Sequence, residues 1–407
     1  MPGSAALRAA IFLPFTLAVA LPAGRSATTP APDPLGGEGS GRRPALAQQG
    51  VSIGLTYTLA ALAALDGGLR RGTLLEGTAD LFADFDFSRL AALPATQGRL
   101  GVVSAHGPSI SANYVGDVRA ISDFDMPDGL YFREAWLEHT WGEDLVAVRV
   151  GKISADDDTV VYGTADSILL PIFPDSALGA RARVAVSERW TFEAAVFDGD
   201  PFSPGRNRDR RGLNFRLSRH EGATVVGAVH LKTGLGPDPL LPPGTWKFGL
   251  YRTSRDVDSV ATGTAVRGSR AFFVDVTQTV WRERTVANDG AQGLDFYATA
   301  EITQSDRNTF RSSTTAGLTR TGLIPGRDAD VLDVSLYYTR FSSAFSRASL
   351  ASGGPAYTFE NALRVFYRLE FSPAFALQPQ VDHVLRPGGS GEIPAATVAS
   401  LRATLTF

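Results

Sequence analysis

The chain of 407 residues contains no cysteine. That excludes thiol nucleophiles, cysteine-ligated metals and any disulfide framework. Lysine is nearly absent as well. Lys152, Lys232 and Lys247 are the only three, so arginine carries almost all the positive charge, most simply through a genomic compositional bias. The net charge of −3 points neither to a nucleic-acid surface nor to an acidic tail. Histidine is sparse, and His106, His139, His220, His230 and His383 form no zinc-helix pattern; no G-x-S-x-G elbow occurs either. The acidic clusters at 156–158 and 198–200 lack the length and spacing of a calcium loop. No enzyme activity, metal or cofactor is therefore expected. Past the N-terminal segment there is no apolar run long enough for a membrane-spanning helix.

What is present begins with an address. Arg8 precedes the apolar run AAIFLPFTLAVALPA, which has the length of a signal-peptide core. Residues 1–27 are read as a signal peptide, 28–50 as a flexible Pro/Gly-rich segment, and 51–407 as the folded unit. That short segment is too small to form the globular plug of an energy-coupled receptor.

From residue 51 onward the dominant period is two. In LLEGTADLFADFDFS one face is Leu75, Gly77, Ala79, Leu81, Ala83, Phe85 and Phe87, and the other is Glu76, Thr78, Asp80, Phe82, Asp84, Asp86 and Ser88. A helix would scatter these residues, whereas a strand separates them. WTFEAAVF (190–197), GLDFYATAEIT (293–303) and FENALRVFYRLEF (359–371) repeat the pattern. The segments exceed the five or six residues of ordinary strands, their polar faces carry full charges, and aromatics such as Trp190, Trp246, Tyr338 and Phe371 bound their apolar faces. Strands that cross a bilayer need about 9–11 residues, apolar toward lipid and polar toward a lumen. Only a closed barrel satisfies every backbone donor in lipid. The expected fold is an all-β, transmembrane antiparallel β-barrel.

Seventeen stretches alternate in this way, among them 98–118 and 211–219. Bacterial single-chain barrels have an even number of strands, so about sixteen are expected. Tight connections (WGED, SER, SRHEG, SPA) alternate with long ones at 153–178, 199–210 and 386–395, as short turns at one rim and long loops at the other would. The final stretch, VASLRATLTF, ends on Phe407. A terminal aromatic on an alternating last strand resembles the signal by which the barrel-assembly machinery of Gram-negative bacteria recognises its substrates.

A barrel of this size encloses water, and its lumen chemistry sets selectivity. The alternation directs Asp80, Asp84, Glu134, Trp136, Glu138, Arg149, Arg181, Arg183, Arg216, Glu301, Arg364, Arg368 and Glu370 inward. Arginine forks and carboxylates both hydrogen-bond hydroxyl groups, and an indole stacks on the apolar face of a sugar ring. Asp80, Asp84, Glu134, Trp136, Glu138, Arg149, Arg181, Arg183, Arg364 and Arg368 are thus the candidate substrate pathway. Segment 154–176, with its apolar run 168–173, is the candidate constriction loop, folded against the inner wall.

Several stretches together resemble the carbohydrate-selective porins of the OprB family. They are NYVGDVRAISDFD (113–125), YFREAWLEHTW (131–141), VRVGKISADDDTV (148–160), FPDSALGARA (173–182), AVFDGDP (195–201), PPGTWKFGLYRTS (242–254), SDRNTF (305–310), GLIPGRDADVL (322–332) and LQPQVDHVLRPGG (377–389). They run in family order from about residue 51 to the C-terminus. The resemblance implies a sixteen-stranded outer-membrane barrel with inward-folded loops, passing glucose and related sugars by passive diffusion. A general diffusion pore, or one selective for organic acids or aromatics, is the alternative. Arg149, Glu134 and Glu138 lie within its most recognisable stretches. The partners implied are small sugars in the lumen, outer-membrane lipid and lipopolysaccharide around the wall, and the assembly machinery at Phe407, with no nucleic acid. Porins of this size occur as monomers and trimers, so a homo-oligomer stays open.

Overall fold

The computed structural model describes residues 42–156, 170–171, 176–199, 212, 213, 215, 217, 222–235, 241–283 and 292–407. The expected signal peptide, the tail up to residue 41, Arg216, the acidic residues 157, 158 and 200, and most of the apolar run 168–173 lie outside the described residues.

Sixteen strands follow one another along the chain. They are β1 (Val51–Asp66), β2 (Gly72–Asp86), β3 (Thr96–His106), β4 (Gly129–Trp141), β5 (Val146–Ile153), β6 (Ala177–Ala185), β7 (Trp190–Asp198) and β8 (Ala223–Thr233). The second half comprises β9 (Gly244–Asp258), β10 (Ala265–Arg282), β11 (Gly293–Thr303), β12 (Phe310–Thr321), β13 (Val331–Phe341), β14 (Phe359–Ser372), β15 (Phe375–Leu385) and β16 (Ala396–Thr406). Each pairs antiparallel with its chain neighbours, and β16 pairs with β1 to close the ring. Phe407 helps close that seam through Leu55, its amide donating to the Leu55 carbonyl at 2.8 Å. The expected sixteen-stranded barrel is the one observed.

Alternation explains why the wall closes with this side out. Leu75, Leu81, Leu137, Val150, Phe248, Leu250, Phe272 and Leu336 are exposed on the outer face, while Glu76, Arg181, Glu301, Asp333, Arg364 and Asp382 are buried inside. A pleated strand sends alternate side chains to opposite faces, so one register settles both sets at once. The outer face has the composition lipid demands, and the closed ring leaves no unpaired edge in it.

Three expectations change. Stretch 211–219 supplies no wall strand between β7 and β8, which pair directly with each other, and its described residues 212, 213, 215 and 217 are irregular. The tight turn expected at SRHEG lies, Gly222 apart, outside the described residues. Strand β3 stops at His106, and residues 107–128 leave the wall, with a π-helical turn at Ser111–Val115. The last turns of the segment read as a flexible tail form a short helix, α1 (Arg42–Gln48), beside the start of β1.

Connections at one rim are short (142–145, 186–189, 373–374), and those at the other include 107–128, 154–176, 199–222 and 342–358. Helix α2 (Phe87–Ala91) follows β2 at the short-turn rim, capped by the Asp86 carboxylate accepting from the Ser88 amide at 3.0 Å. Helix α3 (Ser343–Ala351) follows β13, with the Ser342 hydroxyl accepting from the Ala344 and Phe345 amides.

Candidate functional site

Two long loops turn into the barrel. In the first, residues 107–128, the apolar side chains Ile110, Val115 and Ile121 pack with Leu62, Tyr337, Val384 and Val398 on the inner wall of β1, β13, β15 and β16. In the second, Ala155 and Leu170 join Trp136, Phe197, Val226, Tyr251 and Phe273 on the wall of β4 and β7–β10. In a ring of sixteen, β7–β8 lies half a turn from β15–β16, so the loops approach from opposite sides. The expected inward packing of 154–176 thus holds for its described ends. Loop 107–128 had been hidden inside an overlong strand.

Polar anchors hold the first loop. The Glu360 carboxylate accepts from the Val118, Arg119 and Gly388 amides at 2.9, 3.2 and 2.7 Å. Arg364 donates to Asp382 at 2.7 Å and to the Ile121 carbonyl, and lies 3.7 Å from Asp123. Arg402 holds the other oxygen of Asp123 at 2.7 Å. The Arg119 guanidinium stacks 3.5 Å over the Tyr337 ring, and burial lowers its pKa to about 10. The Asp117 carboxyl is buried with no hydrogen-bond partner among the described residues, and burial pushes its pKa up to about 7. Burial also raises Asp125.

On the wall of β2–β6 the charges form a ladder. Asp84 takes a two-pronged pair from Arg99, at 2.5 and 2.9 Å. Asp80 accepts from Arg133 at 3.2 Å. Arg133 occupies a bulge in β4, where Gly101 and Val102 face Glu134 and Phe132. Glu134 accepts from the Trp136 indole at 2.9 Å. Glu138 is the hub: Gln97, Arg149 and Arg181 donate to it at 2.9, 2.9 and 3.0 Å. The Arg149 guanidinium also stacks on Trp136, 3.8 Å from the ring centroid. Glu134 and Glu138 are only 4 % exposed and Trp136 9 %. Each carboxylate is hydrogen-bonded, as burial of charge requires. Gly151 sits opposite Trp136 at φ +135°, where a Cβ would come within 2.2 Å of the Ala135 carbonyl. Only glycine lets β5 approach there.

A model of the carbohydrate-selective porin, OprB family, matches residues 71–407. The chain belongs to the OprB family. It is 23 % identical to a chain of Acinetobacter baylyi named "Putative porin QuiX", over 91 % of its own length and 92 % of the relative's. It is 22 % identical to Porin B of Pseudomonas aeruginosa, over 91 % and 90 %. Its fold is similar to that of Pseudomonas putida OprB in the high-pH structure, with TM-score 0.83 at 16 % identity, covering 92 % of this chain and 99 % of that one. It is a β-barrel porin, and family and fold together place it in the outer membrane of a Gram-negative bacterium.

Within this OprB barrel the ten residues expected on the pathway all face inward, but they do three jobs. Asp80, Asp84, Glu134, Trp136, Glu138, Arg149 and Arg181 belong to the ladder. Arg183, one inward step along β6 from Arg181, makes no hydrogen bond or ion pair among the described residues. Arg364 anchors the inward loop, and Arg368 pairs with Glu370 farther down β14. Sequence reading missed Gln97, Arg99, Arg133, Asp123, Glu360 and Arg402. The parity of β3 carries the signal for Gln97 and Arg99. The parity of β14 and β16 likewise turns Glu360 and Arg402 inward, but their partners in the loop, some 240 to 280 residues away in the chain, leave no signal.

Proposed function

We propose that this OprB-family porin passes glucose and related small neutral sugars by passive diffusion. The reading is carried by the Glu138 hub, where one carboxylate, two arginines, an amide and an indole converge on one stretch of inner wall. Fixed donors and acceptors exchange hydrogen bonds with hydroxyl groups, and the buried Trp136 ring holds the Arg149 guanidinium in place for them. Because charges of both signs line it, such a wall carries no strong selectivity for one sign of ion. Entry of glucose, maltose and succinate into liposomes carrying the full chain tests this. Glucose faster than maltose and succinate is expected; succinate entering faster than glucose would overturn it.

A second reading, a channel for hydroxylated organic acids, is favoured by two observations. Two arginines share the single Glu138, and Arg183 beside them has no partner among the described residues. The same swelling measurement separates the two readings.

A further inference from the structure

On the outer face, β9 and β10 change character abruptly. Phe248, Leu250 and Phe272 are exposed along the apolar belt, with Ile302 beside them on β11. In this belt Leu250 and Ile302 both stand opposite Phe272. The next outward step toward the long-loop rim is arginine on both strands, Arg252 and Arg270, which stand directly opposite each other in the register. Two residues of strand span about 7 Å. The change from hydrocarbon-like to cationic surface is therefore about as sharp as the boundary between acyl chains and headgroups in a leaflet.

The chain continues the cationic patch. Strand β10 has a bulge at Gly268, φ +72°, where the pairing shifts between Arg267 and Ser269. Arg307, from the β11–β12 connection, donates to the Arg267 and Gly268 carbonyls at 2.7 and 2.6 Å. This tie holds the bulge, and with it the outward, exposed Arg267. Gln304 accepts from the Arg270 amide at 3.1 Å. A groove of about 440 Å³ runs past Val225, Arg252, Ser254 and Arg267. A second, of about 150 Å³, continues past Arg270, Gln304 and Arg307.

Arg252, Arg267 and Arg270 make no ion pair among the described residues. The nearby acid Asp306 lies 3.3 Å from Arg307, and Asp256 stands opposite Arg267 without bonding it. Like charges directly opposite on neighbouring strands repel. An anion between Arg252 and Arg270 turns that repulsion into attraction, and the guanidinium fork matches phosphate geometry. Next to hydrocarbon the attraction is stronger than in bulk water.

We infer that Arg252, Arg270 and Arg267 form a binding site for the phosphate of an outer-leaflet phosphorylated glycolipid. Phe272 and Leu250 lie below it, against the acyl chains. The inference rests on the outer-membrane placement of the barrel and is independent of which solute passes the lumen.

The test uses the refolded full chain in detergent and bisphosphorylated lipid A as probe, with retention read by native mass spectrometry. Dephosphorylated lipid A and inorganic pyrophosphate are the comparison arms. Expected is one retained lipid A, with binding weakened about tenfold in R252Q/R270Q, since two charge-assisted phosphate contacts are lost. R340Q should bind as the unaltered chain does, because Arg340 is an exposed arginine near the same rim that stands opposite Ser312 and Phe359, with no arginine directly across from it. Arg270→Gln alone gives the same reading should the double variant not fold. Equal retention by variant and unaltered chain, or equal retention of dephosphorylated lipid A, overturns the site. Pyrophosphate binding as tightly as lipid A overturns the lipid assignment in favour of a free-phosphate site. Glucose entry into liposomes is expected to be unchanged in R252Q/R270Q, and its loss would move these arginines onto the solute path.

Discussion

Arg149 stacks on Trp136, 3.8 Å from the ring centroid, while its Nε donates to Glu138 at 2.9 Å. The guanidinium is thus held on one edge by a carboxylate and on its face by an indole, which fixes its plane at the inner wall. A side chain held in this way gives up little rotamer freedom when it binds a passing hydroxyl group. The same contacts bury the indole, so the solute meets the arginine edge first and the ring behind it.

Replacing Trp136 with alanine frees Arg149 to swing and removes the stacking face. Cation–π contacts contribute about 0.5–2 kcal/mol, so the half-saturating glucose concentration is expected to rise by roughly two- to thirtyfold. Glucose-induced current noise in planar bilayers measures it. An unchanged glucose affinity in Trp136→Ala would remove this residue from the pathway.

Glu138 neutralises two arginines, so its loss shows in ion selectivity more than in pore size. Glu138→Gln keeps the shape and leaves Arg149 and Arg181 facing each other without a counter-charge. The reversal potential in a potassium chloride gradient is expected to move toward chloride. Arg183→Ala is expected to move it toward potassium, because that guanidinium makes no ion pair among the described residues, although Glu193 faces it from β7. If neither variant shifts the potential, ions do not pass this part of the wall.

How much of this was legible in sequence follows from the range of each interaction. Leu75, Glu76, Leu81 and Asp84 reveal their faces by their own spacing, because a strand's period is local. The barrel and the inward direction of Glu138 and Arg181 follow from such spacing; the spacing offers seventeen strands, and only the even number of bacterial barrels brings the count to sixteen. Loop 107–128 did not show itself, because DVRAI still alternates after the chain has left the wall. Stretch 211–219 alternates too, yet β7 and β8 pair directly with no strand between them. Alternation reports what a segment tolerates, whereas pairing is decided by neighbours far along the chain. The site followed the same rule. Glu134, Trp136 and Glu138 share one strand and were seen together, but Glu360 binding Arg119 joins positions 241 residues apart and left no local trace.

The anchors of that loop predict a wider pore when they are cut. Glu360→Ala removes the acceptor for the Val118, Arg119 and Gly388 amides. A hydrogen bond contributes about 0.5–1.5 kcal/mol, and the loss of three is enough in sum to shift a docked loop toward an undocked one. Single-channel conductance and maltose entry are expected to rise, while the barrel keeps its resistance to unfolding in dodecyl sulfate at room temperature. A pore of unchanged conductance would show that the apolar contacts of Ile110, Val115 and Ile121 hold the loop alone.

The same loop predicts a pH dependence whose sign is set by Asp117. Its carboxyl is buried without a hydrogen-bond partner among the described residues, and burial, reinforced by the carboxylates of Asp125 and Asp382, carries its pKa from 3.8 to about 7. Glu360 stands beside it. Arg119, Arg364 and Arg402 lie on the same seam with Asp123, and supply fewer positive charges than the acids require. In the docked loop Asp117 keeps its proton up to about pH 7, whereas in water it loses it near its ordinary value. Between those limits the docked state binds the extra proton, so its stability falls as pH rises and levels off above about 7. Asp125, also raised by burial, acts in the same direction. Conductance recorded across about pH 4.5 to 8 is therefore expected to be lowest and quietest at the acid end, with more frequent excursions to larger openings toward neutrality. Asp117→Asn keeps the shape and removes the titration, and is expected to hold the quiet state across most of the range. If Asp117→Asn channels open with pH as the unaltered protein does, the dependence belongs to another group of the seam.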